Sequence, residues 1–175
     1  MIGPKHSGKT STGRLLADIL REDFFDLDEV MESMTGKPPR TLYREGINVF
    51  RKAETDALAG LLANRKKMVA ASGGGLIDNP EAMKLLEKNE RVYLVFLGVS
   101  AETAWKRIVS AGGELPAFLE KTNPEKSHLE IHIRRSRLYR DAADLAIYAE
   151  GKSPQDLALE IFSYSPFNVQ RGSIP

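Results

Sequence analysis

The feature of the sequence that most constrains the fold is a glycine-rich segment that starts at the third residue. It reads Gly3-Pro4-Lys5-His6-Ser7-Gly8-Lys9-Thr10 and matches the pattern G-x-x-x-x-G-K-[ST]. A chain of average composition contains such a match by chance in fewer than about one case in a hundred. Glycines let main-chain N–H groups approach phosphate oxygens, and the helical pattern that follows adds the positive end of a helix. The segment therefore predicts a phosphate-binding loop, and the remaining alternative is a glycine turn that only caps a helix.

Two side chains of this loop have predicted chemical roles. Lys9 is expected to reach the β- and γ-phosphates of a bound nucleoside triphosphate, and the Thr10 hydroxyl is expected to bind Mg²⁺. The other loop residues contribute main-chain donors or stand beside the phosphates. The predicted nucleotide contacts are Gly3, Pro4, Lys5, His6, Ser7, Gly8, Lys9, Thr10 and Ser11.

Along the rest of the chain, short apolar runs alternate with helical periodicity. Strands are predicted at residues 24–27, 67–71, 91–97 and 145–148, and helices at 11–21, 28–35, 48–64, 80–88, 101–109, 129–142 and 154–162. Strands separated by helices predict an α/β fold with a parallel sheet, helices on both faces, and ligands beyond the carboxyl ends of the strands. Only Met1 and Ile2 precede the loop, so the strand leading into it is either very short or lacks upstream residues.

The composition narrows the class of protein. A length of 175 residues with 42% hydrophobic and 28% charged residues is typical of one globular domain, which we place at residues 1–164, with a poorly ordered tail at 165–175. The net charge of +1 argues against nucleic acid or an acidic membrane as a partner, and the absence of cysteine excludes disulfides. Because no signal peptide or long apolar run is present, we expect a cytoplasmic location. We also expect a monomer.

Two acids follow the first predicted strand after the loop. Asp26 and Asp28 alternate along the chain, which places both carboxylates on one side of the strand end. Asp26 is predicted to hold Mg²⁺ through water, and Asp28 to orient or deprotonate a substrate hydroxyl. The alternative for Asp28 is that it only caps the helix that follows.

Guanidinium groups and glycines supply candidate anion contacts. Arg51 and Glu54 stand three residues apart on a predicted helix, where the Arg51 fork suits a substrate carboxylate and Glu54 could orient it; the alternative is a surface ion pair. The run Gly73-Gly74-Gly75 follows a strand and frees N–H donors, or is only a flexible turn. In the basic stretch 134–140, one guanidinium could face the site.

Taken together, these residues resemble the shikimate kinases over residues 3–162. The likeness rests on the phosphate loop, Asp26-Leu27-Asp28, Thr35-Gly36, Phe50-Arg51-x-x-Glu54, Gly73-Gly74-Gly75, Arg135 before Leu138-Tyr139, and Ala143-Asp144. The phosphate loop alone occurs in many families, whereas the order and spacing of the whole set is much more specific.

The resemblance implies a P-loop kinase of the nucleoside-monophosphate-kinase type with a five-stranded parallel sheet. It implies transfer of the γ-phosphoryl group of ATP, with Mg²⁺, to the 3-hydroxyl of shikimate. The implied shikimate contacts are Asp28, Arg51, Gly73, Gly74, Gly75 and Arg135. Arg107 would lie against adenine, residues 28–56 would form the substrate-binding segment, and residues 110–127 would form a lid.

One position departs from the family pattern. The family's lid carries an Arg-Pro-Leu-Leu segment whose arginine reaches the phosphates, and here the matching stretch is Leu115-Pro116-Ala117-Phe118. Such an arginine contributes about 10³–10⁵ in rate in other phosphoryl-transfer enzymes. The protein is therefore slow, uses Lys121 or Lys126 instead, or acts on another small hydroxy acid or a nucleotide. A nucleotide-binding regulatory module with little turnover is the alternative outside the kinases.

Overall fold

The computed structural model describes residues 1–64, 66–119 and 122–166. Its helices are α1 (Lys9–Leu20), α2 (Leu27–Thr35), α3 (Pro39–Glu45), α4 (Ile47–Ala63), α5 (Pro80–Glu87), α6 (Ala101–Ser110), α7 (Pro124–Ala142) and α8 (Pro154–Tyr164), with one 3₁₀ turn at Leu76–Asp78. Its strands are β1 (Asp23–Asp26), β2 (Met68–Ala71), β3 (Val95–Gly98) and β4 (Leu145–Tyr148). None of the helices in these ranges is long and apolar enough to cross a membrane.

The strands form two parallel pairs joined by the first two residues. β1 pairs with β2 and β3 pairs with β4, both in parallel. Between the pairs, Ile2 donates its N–H to the Val95 carbonyl at 2.8 Å and accepts from Leu97 N–H at 2.9 Å. On the other side, the Met1 carbonyl accepts from Ser72 N–H at 3.0 Å. The parallel α/β prediction is confirmed, but the described residues contain four strands and not the five-stranded sheet, because two residues make a bridge and not a strand.

Apolar clusters cover both faces of the strands. One face packs Phe96 and Ile2 against α4 and α5 through side chains such as Leu58 and Met83. The other face packs Leu97 with the apolar sides of α1 and α8. Helices on both faces leave the carboxyl ends of the strands open to solvent, and the phosphate loop, the acids after β1 and the glycines after β2 all lie there.

Most predicted boundaries are within two residues of the observed ones, but one helix is missing from the sequence prediction and two elements start four or five residues away from their predicted positions. The sequence predicts no helix between residues 35 and 48, because Gly36-Lys37-Pro38-Pro39 indicates a break, yet Pro39 is the first residue of α3, where its missing N–H costs nothing. Helix α7 begins at Pro124, inside the predicted lid, because the Asn123 side chain caps it through Lys126 N–H. Residues 91–94 were predicted as strand, but β3 starts only at Val95. Of the tail predicted at residues 165–175, Ser165 is buried at the end of α8, and residues 167–175 lie outside the described residues.

Candidate active site

A cleft of about 920 Å³ opens at the carboxyl ends of the strands. The predicted site residues that line it are Lys5, His6, Gly8, Lys9, Thr10, Ser11, Asp26, Asp28, Arg51, Gly73, Gly74, Gly75, Arg107 and Arg135. Gly3, Pro4 and Ser7 are buried beneath the loop surface and do not line the cleft. The fold thus brings segments separated by more than a hundred residues to one place.

The phosphate loop has backbone angles that favour glycine. Gly3 has φ 145° and Gly8 has φ 102°. A Cβ atom on Gly3 would lie 2.4 Å from the Leu97 carbonyl oxygen. The loop therefore packs so closely against β3 that only glycine, which has no Cβ, fits at this position. His6, at φ 59°, adopts the left-handed region without being glycine. At this strained position its carbonyl accepts a hydrogen bond from Arg107 Nη1 at 2.9 Å, which ties α6 to the loop.

Lys9 lies inside the loop. Its Nζ donates to the carbonyls of Gly3 at 2.9 Å and Pro4 at 2.7 Å. Burial lowers the pKa of Lys9 to about 8, although the nearby carboxylates of Asp28 and Asp26 oppose the change. Burial makes the ammonium charge costly, so a phosphate anion in the loop would stabilise it.

The acids after β1 have different environments. Asp26 accepts from the Thr10 hydroxyl at 2.8 Å and from Asp28 N–H at 3.0 Å, so Asp26, not Asp28, is the N-cap of α2. Among the described residues, no hydrogen bond is made to the Asp28 carboxylate. Burial, with a smaller contribution from Asp26, raises the pKa of Asp28. A carboxyl group that faces the cleft, has a raised pKa and makes no hydrogen bond within the described ranges is suited to accept a proton from a bound hydroxyl.

A magnesium ion is compatible with one corner of the cleft. The Thr10 hydroxyl and the Asp26 carboxylate contact each other and are hard oxygen donors of the type that Mg²⁺ prefers. They stand beside Lys9, where phosphate oxygens would complete the coordination. Thr10 and Asp26 are therefore the residues that would hold the ion.

Arg135 is held in the cleft beside the glycine turn that follows β2. Its Nε donates to Asp78 Oδ2 at 2.9 Å, and its Nη1 donates to the Gly74 carbonyl at 2.9 Å. The buried Tyr139 hydroxyl donates to the same carbonyl at 2.7 Å. The glycine turn after β2 and helix α7 are thereby joined through one guanidinium and one phenol, and Arg135 faces the cleft.

Glu54 is one of the most deeply buried ionisable groups, with 1% of its surface exposed. Its Oε2 accepts from Asn79 Nδ2 at 2.9 Å, and Asn79 also donates to the Arg51 main-chain carbonyl at 2.9 Å. In the described residues Glu54 does not form an ion pair with Arg51. It is instead linked to the Arg51 main chain through Asn79. Burial raises the pKa of Glu54 to about 7 despite the Asn79 hydrogen bond and the nearby arginines.

The Glu54→Gln variant is expected to be more stable than wild type at pH 8. Between pH 4.5 and about 7, Glu54 keeps its proton in the folded state but loses it in the unfolded chain. The stability that the protonated residue contributes is therefore lost as the pH rises from 4.5 to about 7, and above that the buried carboxylate is charged. Glutamine has no proton to lose. We expect Tm to rise by about 3–6 °C at pH 8 and to change little at pH 5, measured by circular dichroism. The exposed Glu87→Gln is the matched control, and an equal Tm difference at both pH values would contradict the prediction.

Comparison with known proteins identifies the family. Residues 5–165 match the family model described as Shikimate kinase. The curated shikimate kinase of Streptococcus gordonii is 35% identical over 160 residues, which cover 90% of this chain and 94% of the relative. The chain belongs to the shikimate kinase family. A curated shikimate kinase of Marinomonas sp. is 32% identical over 163 residues, covering 92% of this chain and 87% of the relative.

Solved structures agree with the family assignment. The shikimate kinase from Acinetobacter baumannii in complex with shikimate has a TM-score of 0.84 and 31% identity, covering 98% of this chain and 93% of that chain. The shikimate kinase from Aquifex aeolicus has a TM-score of 0.76 and 27% identity, covering 98% and 97%. The resemblance stated from the sequence is confirmed. This shikimate kinase family member is a phosphotransferase with an alcohol group as acceptor, and the family uses ATP and Mg²⁺.

Several residues of this shikimate kinase family site were not predicted from the sequence. Asp78 and Tyr139 position Arg135 and Gly74, and Phe118 lies with its ring 4.7 Å from the Arg135 guanidinium carbon. The position of Tyr139 could have been predicted, because it follows Arg135 by four residues and therefore lies on the same face of the helix. No local pattern pointed to Asp78, because its partners lie 56 and 57 residues away.

Proposed function

We propose that this protein transfers the γ-phosphoryl group of ATP to the 3-hydroxyl of shikimate. The observation that carries the proposal is that Lys9 and Thr10 share one cleft with Asp28, Arg51 and Arg135. The first two are suited to a Mg-nucleotide, and the last three supply a base and two guanidiniums for a hydroxy acid. The solved relative in complex with shikimate supports the same choice of acceptor.

The two substrates would share this cleft. We assign the nucleotide to the loop residues 3–11, with Arg107 beside the adenine. Shikimate would contact Asp28, Arg51, Gly73, Gly74, Gly75 and Arg135. The Arg51 guanidinium has no hydrogen bond or ion pair in the part of the chain that the structure describes, so its donors are available to a carboxylate.

The chemistry follows from this arrangement. Asp28 would align the 3-hydroxyl and accept its proton as the hydroxyl oxygen bonds to the γ-phosphorus. The bond between that phosphorus and the bridging oxygen breaks, and ADP leaves. Lys9 would stabilise the charge that develops on the phosphate oxygens, and Mg²⁺ supplies further charge neutralisation when bound. Positioning and electrostatics thus provide most of the rate increase.

We propose that residues 110–127 are the lid and that α3 holds one part of it over the cleft. Glu114 forms ion pairs with both Arg40 and Arg44, the latter at 2.9 Å. Arg40 also donates to the Leu115 carbonyl at 3.2 Å and lines the cleft. At Leu115, where the family pattern has an arginine, a guanidinium from α3 therefore contacts the lid backbone.

Lys121 and Lys126 are the other candidates to replace the lid arginine, and among the described residues neither lines the cleft. Lys126 lies on α7 with 70% of its side chain exposed, 4.0 Å from Glu130, and does not line the cleft. Lys121 lies outside the described residues. Arg40 is therefore the cation that we associate with this part of the lid, as a contact that holds it and not as a phosphate ligand.

Glu114→Gln is expected to loosen the lid. The ion pairs are exposed and screened by solvent, so the effect is modest: about a two- to fivefold rise in the KM for shikimate, with more ADP released per phosphoshikimate formed because water gains access. The measurement is ADP release and phosphoshikimate formation in parallel. Glu45→Gln, which removes a different ion pair of α3, is the control. An unchanged ratio of the two products would contradict the role of Glu114.

A coupled ADP-release assay with and without millimolar shikimate tests the proposed reaction. Stimulation by shikimate supports it, and isothermal calorimetry with Mg·ADP tests the nucleotide half separately. If Mg·ADP binds but shikimate does not increase turnover, the acceptor is another hydroxy acid or nucleotide, which a metabolite panel would identify. If no metabolite increases turnover, the regulatory alternative replaces the kinase.

A further inference from the structure

Asp78 forms ion pairs with two neighbouring arginines of helix α7, Arg134 and Arg135. It ends the 3₁₀ turn that follows the three glycines, and only 16% of its side chain is exposed. Arg134 binds both of its oxygens, with Nη1 at 2.7 Å from Oδ1 and Nη2 at 2.9 Å from Oδ2. Arg135 binds Oδ2 through Nε at 2.9 Å and Nη2 at 2.9 Å.

These contacts fix the orientation of the Arg135 guanidinium. Of its five N–H groups, the one on Nε donates to Asp78 Oδ2 and one on Nη1 donates to the Gly74 carbonyl, while Nη2 lies in ion-pair contact with the same Asp78 oxygen. The Phe118 ring covers the guanidinium carbon at 4.7 Å, and the side chain is 11% exposed. The other N–H groups, on Nη1 and Nη2, make no hydrogen bond within the described residues. Donors on two terminal nitrogens of a guanidinium are of the type that binds the two oxygens of a carboxylate.

The charge of Asp78 is retained at neutral pH. Burial acts to raise the pKa of this carboxyl, but hydrogen bonds from Arg134 and the charge of Arg135 outweigh burial and hold the pKa below its ordinary value. The carboxylate is therefore a permanent acceptor for Arg135. Without it, the Arg135 side chain could turn about its long axis and present its donors in other directions.

We propose that Asp78 is a positioning residue that directs the remaining N–H groups of Arg135 towards the carboxylate of the acceptor, and so sets the preference for carboxylate-bearing substrates. The inference rests on the proposed function. Asp78 is not one of the proposed shikimate contacts, so the inference adds a further residue to the proposed site. Arg134 shares the same carboxylate but is 54% exposed and does not line the cleft, so it stabilises the contact without facing the substrate.

The test compares Asp78→Asn with Asp78→Glu and Arg134→Gln, using shikimate and its methyl ester as acceptors. For Asp78→Asn we expect the KM for shikimate to rise about tenfold, the lower end of what losing an orienting partner costs at other sites, with the KM for ATP unchanged. The wild-type preference in kcat/KM for shikimate over the ester should fall by a similar factor. Asp78→Glu should retain part of this preference, and Arg134→Gln should retain nearly all of it.

The outcomes separate positioning from stability. A lower Tm for Asp78→Asn with unchanged preference for shikimate over the ester would show that Asp78 is only structural and overturn the inference. Equal rises in the KM for ATP and shikimate would also overturn it. If Asp78→Asn does not fold, the preference in kcat/KM for shikimate over the ester is measured in Asp78→Glu. An unchanged preference in that variant would overturn the inference. Failure of the proposed function is visible in the wild-type protein, as absent shikimate-dependent ADP release, and would remove the inference with it.

Discussion

Replacing Lys9 with methionine is expected to lower the kcat for shikimate-dependent ADP release by about 10²–10³-fold. Lys9 is buried in the loop, and its Nζ lies within 2.9 Å of two loop carbonyls. From there it can turn to the γ-phosphate, where negative charge develops during transfer. Methionine fills a similar volume without charge, so the fold should persist while charge stabilisation is lost.

The matched control is Lys5→Met in the same loop. Lys5 has the same charge and also lines the cleft, but its side chain is exposed. We expect a much smaller loss of kcat for this variant, measured in the coupled assay with Tm recorded for both proteins. Equal losses for the two variants would mean that only the general positive charge of the loop matters, and the specific role of Lys9 would be wrong.

Asp28→Asn is expected to lower kcat by about 10²–10⁴-fold, the range for loss of a general base. The carboxylate faces the cleft without a hydrogen-bond partner among the described residues, and a Cβ on Gly73 would lie 3.0 Å from its Oδ1. Glycine at this position thus leaves space for the acid. Asparagine retains the shape of the side chain but cannot accept the hydroxyl proton.

The pH profile provides a second measurement for Asp28. Burial raises the pKa of this acid, so the acidic limb of kcat/KM in the wild-type protein should lie above the ordinary range of an aspartate. Activity falls as pH drops through that pKa, because protonated Asp28 cannot act as a base. The limb should be absent in Asp28→Asn and unchanged in the exposed Glu29→Gln. A limb that persists in Asp28→Asn would assign it to another group.

The phosphate loop and the parallel α/β class were predictable because both depend on residues close in sequence. Gly3 and Gly8 mark the backbone geometry directly, and the helix behind them begins at Lys9 as the motif requires. Helix α3 was missed because Pro38-Pro39 signals a break and a helix start equally well, and only packing decides between them. Arg135 was found by its resemblance to a family pattern, whereas nothing near Asp78 indicated that it would hold that arginine.

The sequence by itself determined which chemical groups are present and the local geometry of the loop that binds phosphate, since glycine positions and helix caps act over a few residues. The tertiary structure alone decided the contacts between distant segments: Asp78 with Arg135, Glu114 with Arg40, and Ile2 with β3. It also decided the altered pKa values of Lys9 and Glu54, because burial is a property of the packed chain. Both depend on long-range packing that no local pattern encodes.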